Sequence, residues 1–201
     1  GDLIGGEEDE RRWHWTDEYF PSVGQLAERV PVLAARGNGD VDLVDAATDH
    51  RVFTNFDRYH NQPDMDAQGV HRGYYNYRIG DAVFFVLDGN LALRERQEPG
   101  FRARQRAWLE QALAKSNARW KIAVHHQPAW SSDEDDYGDA YSGTTTLGDT
   151  DIRKDFVDLY ERYGVDVVIS GHIHSYERTW PLLAGKPACG GVTYLQLGGG
   201  G

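Results

Sequence analysis

Several residues of metal-binding type stand at the predicted ends of β-strands. Asn38 follows one short apolar run and His126 closes a second. His172 and His174 follow a third, and Asp2 lies near the start of the sequence. The carboxyl ends of parallel strands meet at one edge of a sheet, so these side chains are expected to converge. Mixed imidazole, carboxylate and amide ligands suit Zn, Mn or Fe. The pattern therefore predicts a metal centre.

The His-x-His pair is the strongest local signal. Residues two apart in an extended segment point to the same side, so His172 and His174 can reach one small volume. The small residues Ser170 and Gly171 before them let the backbone come close. Two histidines on a surface loop are the alternative, which the position directly after an apolar strand disfavours.

The sequence evidence for each of the other candidate ligands is weaker when that residue is considered alone. Adjacent histidines on a strand face opposite sides, so at most one of His125 and His126 is expected to face the site. A histidine hydrogen-bonded within the core is the alternative for this pair. Asn38 also fits an ordinary turn. The remaining histidines show no ligand spacing and are expected at the surface: His14, His50, His60 and His71.

The elements that must position these residues alternate between strands and helices. A hairpin is predicted from 74–79 and 82–87, and further strands at 31–35, 120–124, 165–170 and 192–197. Helices are predicted at 16–29, 104–117 and 151–163, the last ending at Gly164. The stretch 40–70 is polar and irregular and is expected to lie on the surface. The alternation predicts an α/β fold with helices on both faces of the sheet.

Length and composition exclude several classes of protein. The 201 residues are 40% hydrophobic and 26% charged, which disfavours a disordered chain. The apolar runs are far shorter than the ~20 residues that span a membrane. A net charge of −11 disfavours nucleic acid as a partner. Because Cys189 is the single cysteine, an internal disulfide and a Cys-based zinc site are excluded. The start at Gly1, without Met, predicts one domain over 1–201 that is a fragment of a longer chain.

Taken in order, the motifs resemble those of the calcineurin-like metallophosphoesterases, and the last is especially similar to the purple acid phosphatases. The segments 74–88, 105–113 and 120–132 are also similar to that group, so the resemblance covers nearly the whole chain. The motifs that carry it are Gly1-Asp2, Gly37-Asn38, His126-Gln127-Pro128 and Gly171-His172-Ile173-His174-Ser175-Tyr176-Glu177-Arg178.

The resemblance implies a four-layer αββα sandwich of two mixed sheets flanked by helices, here without its first strand. It also implies two metal ions, Fe, Zn or Mn, at one edge. Asp2 would bridge both ions, Asn38, His126 and His172 would complete one site, and His174 would belong to the other. In such sites the ions bind phosphate oxygens and lower the pKa of a bound water.

Two departures from the family's pattern concern the metals. The family's first motif, Asp-x-Gly or Asp-x-His, would precede residue 1, so one metal lacks a protein ligand in this sequence. Purple acid phosphatases carry a Tyr three residues after the bridging Asp, where this sequence has Gly5. A Zn, Mn or Fe(II) pair is therefore expected rather than a ferric ion bound to tyrosinate.

A third departure concerns the leaving group. The family's Gly-Asn-His-Glu/Asp is replaced by GNGD at 37–40, so Gly39 stands where a histidine stabilises or protonates the leaving group. That role contributes ~10²–10⁴ in rate, and glycine cannot perform it. Either another histidine such as His14, His60 or His71 replaces it, or turnover is weak.

The function implied is metal-dependent hydrolysis of phosphate monoesters of small molecules by a water activated between two metals. A phosphodiesterase is one alternative. A catalytically impaired binding or scaffold domain that keeps the fold is another, motivated by Gly5 and Gly39. The ligands alone also fit a dinuclear hydrolase of other esters, which the Tyr176-Glu177-Arg178 extension disfavours. No nucleic acid or membrane partner is expected, and the resemblance implies a secreted or periplasmic location.

Overall fold

The structure, a computed structural model, describes residues 2–4, 14–45, 50–60, 62–64, 66–67, 69, 71–133 and 148–199. Two segments are π-helical, and the other helices and strands are numbered in chain order. They are the π-helix His14–Tyr19, α1 Phe20–Ala27, β1 Asp42–Asp45, β2 His50–Val52, α2 Thr54–Tyr59, β3 Tyr75–Ile79, β4 Ala82–Val86, α3 Leu91–Gln97, α4 Phe101–Lys115, β5 Trp120–Val124, α5 Thr150–Ile152, the π-helix Arg153–Val157, α6 Asp158–Tyr163, β6 Val167–Ser170, β7 Tyr176–Arg178, β8 Leu182–Leu183, β9 Lys186–Pro187 and β10 Thr193–Leu197.

A six-stranded mixed sheet organises this α/β fold, with the strand order β3-β4-β5-β6-β10-β7. The four inner strands β4, β5, β6 and β10 run parallel. The outer strands β3 and β7 are antiparallel to their neighbours. The predicted hairpin is confirmed as β3–β4, and Gly80 supplies the positive φ of 57° that its turn requires. The carboxyl ends of β5 and β6 therefore meet at one edge.

One face of this sheet carries the main hydrophobic core. Inward residues of the central strands, such as Ala123 and Val168, pack against Leu109 of α4 and against Phe156 and Tyr160 of the helical segment 150–163. All five are 0–1% exposed, and each large apolar side chain buried in this way contributes ~1.5–3 kcal/mol. The predicted helical segment over 151–163 and its end at Gly164, with φ 64°, are confirmed. The core thus holds β5 and β6 rigidly.

The opposite face of the sheet is only partly covered in the described part of the chain. Its central side chains Val124, Val167 and Ile169 are half-buried, and Leu197 is 50% exposed. The small cluster on this face, around Ala35, includes no residue from a described helix. Within the described residues, the helices of the main core therefore pack on one face of this sheet, and the small cluster around Ala35 lies on the other.

The predicted strand at 31–35 does not form. These residues have no ladder partner, and the side chains of Val32 and Leu33 are 37% and 38% exposed. Only Ala35 of this run is buried. A strand needs a neighbour to satisfy its backbone groups, and an apolar run does not report whether one is present.

The described part of the stretch 40–70 contains more regular structure than the sequence predicts. It contains the hairpin β1–β2 and the helix α2. Phe53 and Phe56 are buried in a second hydrophobic cluster with Trp15 and Tyr19. Aromatic side chains spaced among polar residues thus fix this segment. No helix in the described ranges is both long enough and apolar enough to cross a membrane.

Candidate metal centre

Two of the predicted ligands follow neighbouring parallel strands. His126 comes two residues after β5, and His172 two residues after β6. The backbone N–H of Gly171 donates to the carbonyl of His126 at 2.9 Å, which joins the two loops. His172 has a φ of 71°, in the left-handed region that few residues other than glycine adopt. The loops therefore bring the two imidazoles together at the carboxyl edge of the sheet, where the sequence predicts the site.

Three of the predicted ligands converge on one atom of a fourth, Nε2 of His126. It lies 2.8 Å from Oδ2 of Asp2, 2.9 Å from Oδ1 of Asn38 and 3.2 Å from Nδ1 of His172. The ligand atoms of Asp2, His126 and His172 all lie within 4.8 Å of one another. These distances suit several ligand atoms arranged around one metal ion.

This convergence fits a metal ion on chemical grounds. An imidazole nitrogen carries either one hydrogen or one lone pair, so Nε2 of His126 cannot bond all three neighbours at once. A cation accepts electron pairs from two imidazoles, a carboxylate and an amide oxygen together. The mixed N and O donors suit Zn, Mn or Fe, as the sequence predicts. The second ring nitrogen of His126, Nδ1, is buried and has no hydrogen-bond partner among the described residues.

The Asp2 carboxylate is held from two sides. Oδ1 accepts a hydrogen bond from the backbone N–H of Gly39 at 2.5 Å, while Oδ2 faces His126. Burial alone would raise the pKa of Asp2. The hydrogen bond and charge of His126, with the Gly39 N–H, outweigh burial and lower it. Asp2 therefore offers an ionised carboxylate, and its φ of 52° places it in a strained backbone conformation.

Gly39 occupies a space that a side chain would fill with difficulty. A Cβ at this position would lie 3.0 Å from Oδ1 of Asp2 and 3.0 Å from the carbonyl oxygen of Ile4. Such contacts are tighter than ordinary van der Waals distances, so the neighbours would have to shift. Glycine at position 39, where the family has histidine, therefore leaves room for the side chain of Asp2.

His125 faces away from this convergence, as the alternation of side chains predicts. Its ring stacks on Tyr160 with centroids 6.2 Å apart and an interplanar angle of 8°. Nδ1 donates to the carbonyl oxygen of Gln127 at 2.7 Å. Burial lowers the pKa of His125 to about 4, so the ring stays neutral in the core. Of the two adjacent histidines, His126 alone joins the group of converging ligands.

An open cleft of about 420 Å³ lies beside the converging ligands. His174 is exposed in its wall, outside the group formed by Asp2, His126 and His172. The apolar residues Val32 and Leu33 form another part of its lining. The structure therefore brings Asp2, Asn38, His126 and His172 together and places His174 near them.

The other histidines lie elsewhere. His14 is buried beside Glu18, and His60 is buried among aromatic rings, so the prediction that both lie at the surface is wrong. His71 is half-buried and pairs with Asp64 at 2.6 Å, while His50 is exposed as predicted. None of these four lines the cleft. Replacement of the family's histidine by His14, His60 or His71 is therefore not seen, and Gly5 lies outside the described residues.

Asp40 is the residue of this site that the sequence prediction missed. Its carboxylate is fully buried and accepts hydrogen bonds from the backbone N–H groups of Asp2, Leu3 and Gly37. The available signal was its place in GNGD, because an Asp three residues after a glycine can bond back to that residue's N–H. The long-range bonds to Asp2 and Leu3 have no local signature.

Comparison with known proteins identifies relatives of this chain. Residues 1–176 match the family model described as calcineurin-like phosphoesterase. The chain is 25% identical over 94% of its length to purple acid phosphatase 15 of Arabidopsis thaliana, and 28% identical over 83% to acid phosphatase type 7 of Danio rerio. A relative at 27% identity over 83% of the chain is named probable inactive purple acid phosphatase 27 of Arabidopsis thaliana.

The chain spans 32%, 38% and 27% of the lengths of these three relatives. Among solved structures it is similar to purple acid phosphatase PPD1 from yellow lupin, with a TM-score of 0.44 and 21% identity over 65% of this chain and 24% of that one. The family model covers most of the sequence. The chain therefore belongs to the calcineurin-like phosphoesterase family.

Proposed function

We propose that this chain hydrolyses phosphate monoesters of small molecules with bound metal ions. The observation that carries the proposal is the convergence of Asp2, Asn38 and His172 on Nε2 of His126. We assign these four residues to one metal site and His174 to a second. When bound, the metal ions supply Lewis acidity toward phosphate oxygens and a nucleophile at near-neutral pH.

The protein's own groups would hold and orient the components of this reaction. The N–H of Gly39 fixes one oxygen of Asp2 and so leaves the other oxygen directed at His126. The Gly171–His126 hydrogen bond fixes the distance between the two ligand loops. Preorganised ligands of this kind lower the reorganisation needed during the reaction.

The lining of the cleft favours a small, singly phosphorylated substrate. The described residues that line it include neither Lys nor Arg. The charge of the phosphate must therefore be matched by the metal ions and the imidazoles. With a net charge of −11, the protein would repel a substrate that carries many phosphates. A phosphodiester is the next substrate class to test.

A catalytically impaired binding domain is the second candidate, and Gly39 is the observation that favours it. Such a domain would bind metal and phosphate and release product slowly or not at all. Tight binding of inorganic phosphate with two metals bound and without turnover would support this candidate instead.

The experiment is a hydrolysis assay with p-nitrophenyl phosphate and bis(p-nitrophenyl) phosphate after reconstitution with Mn, Zn or Fe. We expect release of p-nitrophenol that requires metal, is faster with the monoester, and is abolished in His172→Ala. His50→Ala, an exposed histidine outside the cleft, is the matched control and should retain full activity. Metal-independent release, or equal rates for both variants, would contradict the proposal. A secreted or periplasmic location is part of the proposal and is checked by cell fractionation.

A further inference from the structure

The carboxylate of Asp40 is buried where three backbone N–H groups meet. Oδ2 accepts from Gly37 at 2.8 Å and from Asp2 at 3.0 Å, and Oδ1 accepts from Leu3 at 2.6 Å. The side chain is 0% exposed. A backbone N–H group at a buried position needs an acceptor, because leaving it unpaired costs free energy. Asp40 therefore holds these three amides firmly.

These amides belong to two separate segments that both carry predicted ligands. Asp2 is itself a ligand candidate, and Leu3 follows it directly. Gly37 precedes Asn38, the amide ligand candidate. None of the three donors lies in a described helix or strand, so the sheet does not set their positions. The Asp40 carboxylate accepts hydrogen bonds from the backbone of both segments.

We propose that Asp40 is a positioning residue of the metal centre, which fixes the carboxylate of Asp2 relative to the amide of Asn38. It holds the backbone of both ligand segments and does not itself face the group of converging ligands. Gly39, the residue before Asp40, also positions Asp2, because its backbone N–H orients the Asp2 side chain. The role of Asp40 rests on the proposed metal-dependent function.

Asp64 provides a matched comparison for the loss of a buried carboxylate. It is 1% exposed, accepts from the N–H of Gly73 at 2.7 Å and pairs with His71. Among the described residues, its carboxylate contacts Arg36, His71 and Gly73, none of which is a predicted ligand. A role for Asp40 in folding alone would make Asp40→Asn behave like Asp64→Asn.

The test measures metal affinity per folded molecule by calorimetric titration with Zn²⁺ or Mn²⁺, with the folded fraction taken from circular dichroism. We expect roughly 10- to 100-fold weaker binding in Asp40→Asn, as for other groups that orient ligands. In Asp64→Asn we expect lower stability with unchanged affinity. Equal affinity of Asp40→Asn and the wild type would overturn this role alone. No binding by the wild type would overturn both this role and the proposed function.

A second measurement needs no variant and no metal. Amide hydrogen exchange of the metal-free wild type should show slow exchange at Leu3 and Gly37, although both lie outside regular secondary structure. Exchange as fast as at exposed loop amides would overturn the role of Asp40 even if Asp40→Asn does not fold.

Discussion

Oδ2 of Asp2 lies 2.8 Å from Nε2 of His126, although the two residues are far apart in the sequence. The pair is joined by backbone contacts rather than by a shared element. Gly39 and Asp40 hold the segment of Asp2, and Gly171 holds the loop of His126. A centre built in this way depends on the small residues that let these loops approach.

Replacing Gly39 by Ala should destabilise the protein. The new Cβ would lie 3.0 Å from both Oδ1 of Asp2 and the carbonyl of Ile4, so we expect a loss of about 1–3 kcal/mol in the free energy of unfolding. Urea unfolding measures the change. Gly24→Ala in α1 is the control, because an added Cβ there would meet no atom within 4 Å apart from its chain neighbours and the backbone of its own helix, and alanine should add ~0.5–1 kcal/mol. Equal effects of the two substitutions would contradict the close contact at Gly39.

The same contact bears on restoring the family's histidine. A Gly39→His side chain begins with the same Cβ, so it would press on Asp2 before its ring could reach a leaving group. The gain in rate that a leaving-group histidine gives elsewhere is therefore not expected from this single substitution.

The choice of leaving group should affect the rate strongly. Neither Gly39 nor the histidines His14, His60 and His71 can protonate a leaving group in the cleft. Aryl phosphates, whose leaving groups depart without a proton, should therefore be hydrolysed much faster than alkyl phosphates, by up to ~10²–10⁴-fold. Rates for a series of phosphate monoesters with leaving groups of increasing pKa check this. A flat series would show that a general acid is present.

The candidate site was more predictable from the sequence than its surroundings. Asn38, His126 and His172 lie where short local patterns place them, at the ends of apolar runs. The contacts of Gly39 and Asp40 with Asp2 were not predictable, because they join segments that are distant in the chain and leave no periodic signal. For the same reason the run 31–35 was predicted as a strand, since its apolar pattern says nothing about a partner.

Arg36 should be among the residues most sensitive to substitution. Its guanidinium is 2% exposed, contacts Asp57 and lies 3.3 Å from Asp88 and 4.0 Å from Asp64. Arg36→Met would leave buried carboxylates without their cation, and we expect a loss of about 3–5 kcal/mol in urea unfolding. Arg104→Met breaks a half-exposed pair with Glu98 and should cost at most ~1 kcal/mol. Similar losses in both variants would contradict the strength of the buried network.

His60 should make stability depend on pH below neutrality. Burial among Trp15, Tyr19 and Phe56 lowers its pKa from 6.5 to about 4. Between these values the unfolded chain binds a proton that the folded chain does not, so stability falls as the pH drops from 6.5 to 4. The loss amounts to at most about 3 kcal/mol. It becomes negligible about one pH unit above the unfolded pKa of 6.5.

The variant His60→Phe isolates this effect. It removes the titrating group and keeps an apolar ring in the cluster. Unfolding free energies of the wild type and His60→Phe, measured by urea at several pH values, should differ by a constant amount above pH 7. Below pH 6.5 the stability of the wild type should fall more steeply. Parallel curves through pH 4 would contradict the lowered pKa.

The most direct test of the metal centre is elemental analysis of the purified protein beside His126→Ala, after equilibration with Zn, Mn and Fe and removal of free metal. Because His126 Nε2 is the point on which Asp2, Asn38 and His172 converge, we predict at least one metal ion per wild-type chain and a loss of that ion in the variant. A wild type that retains no metal, or equal metal content in both proteins, would contradict the assignment of these residues as a metal centre.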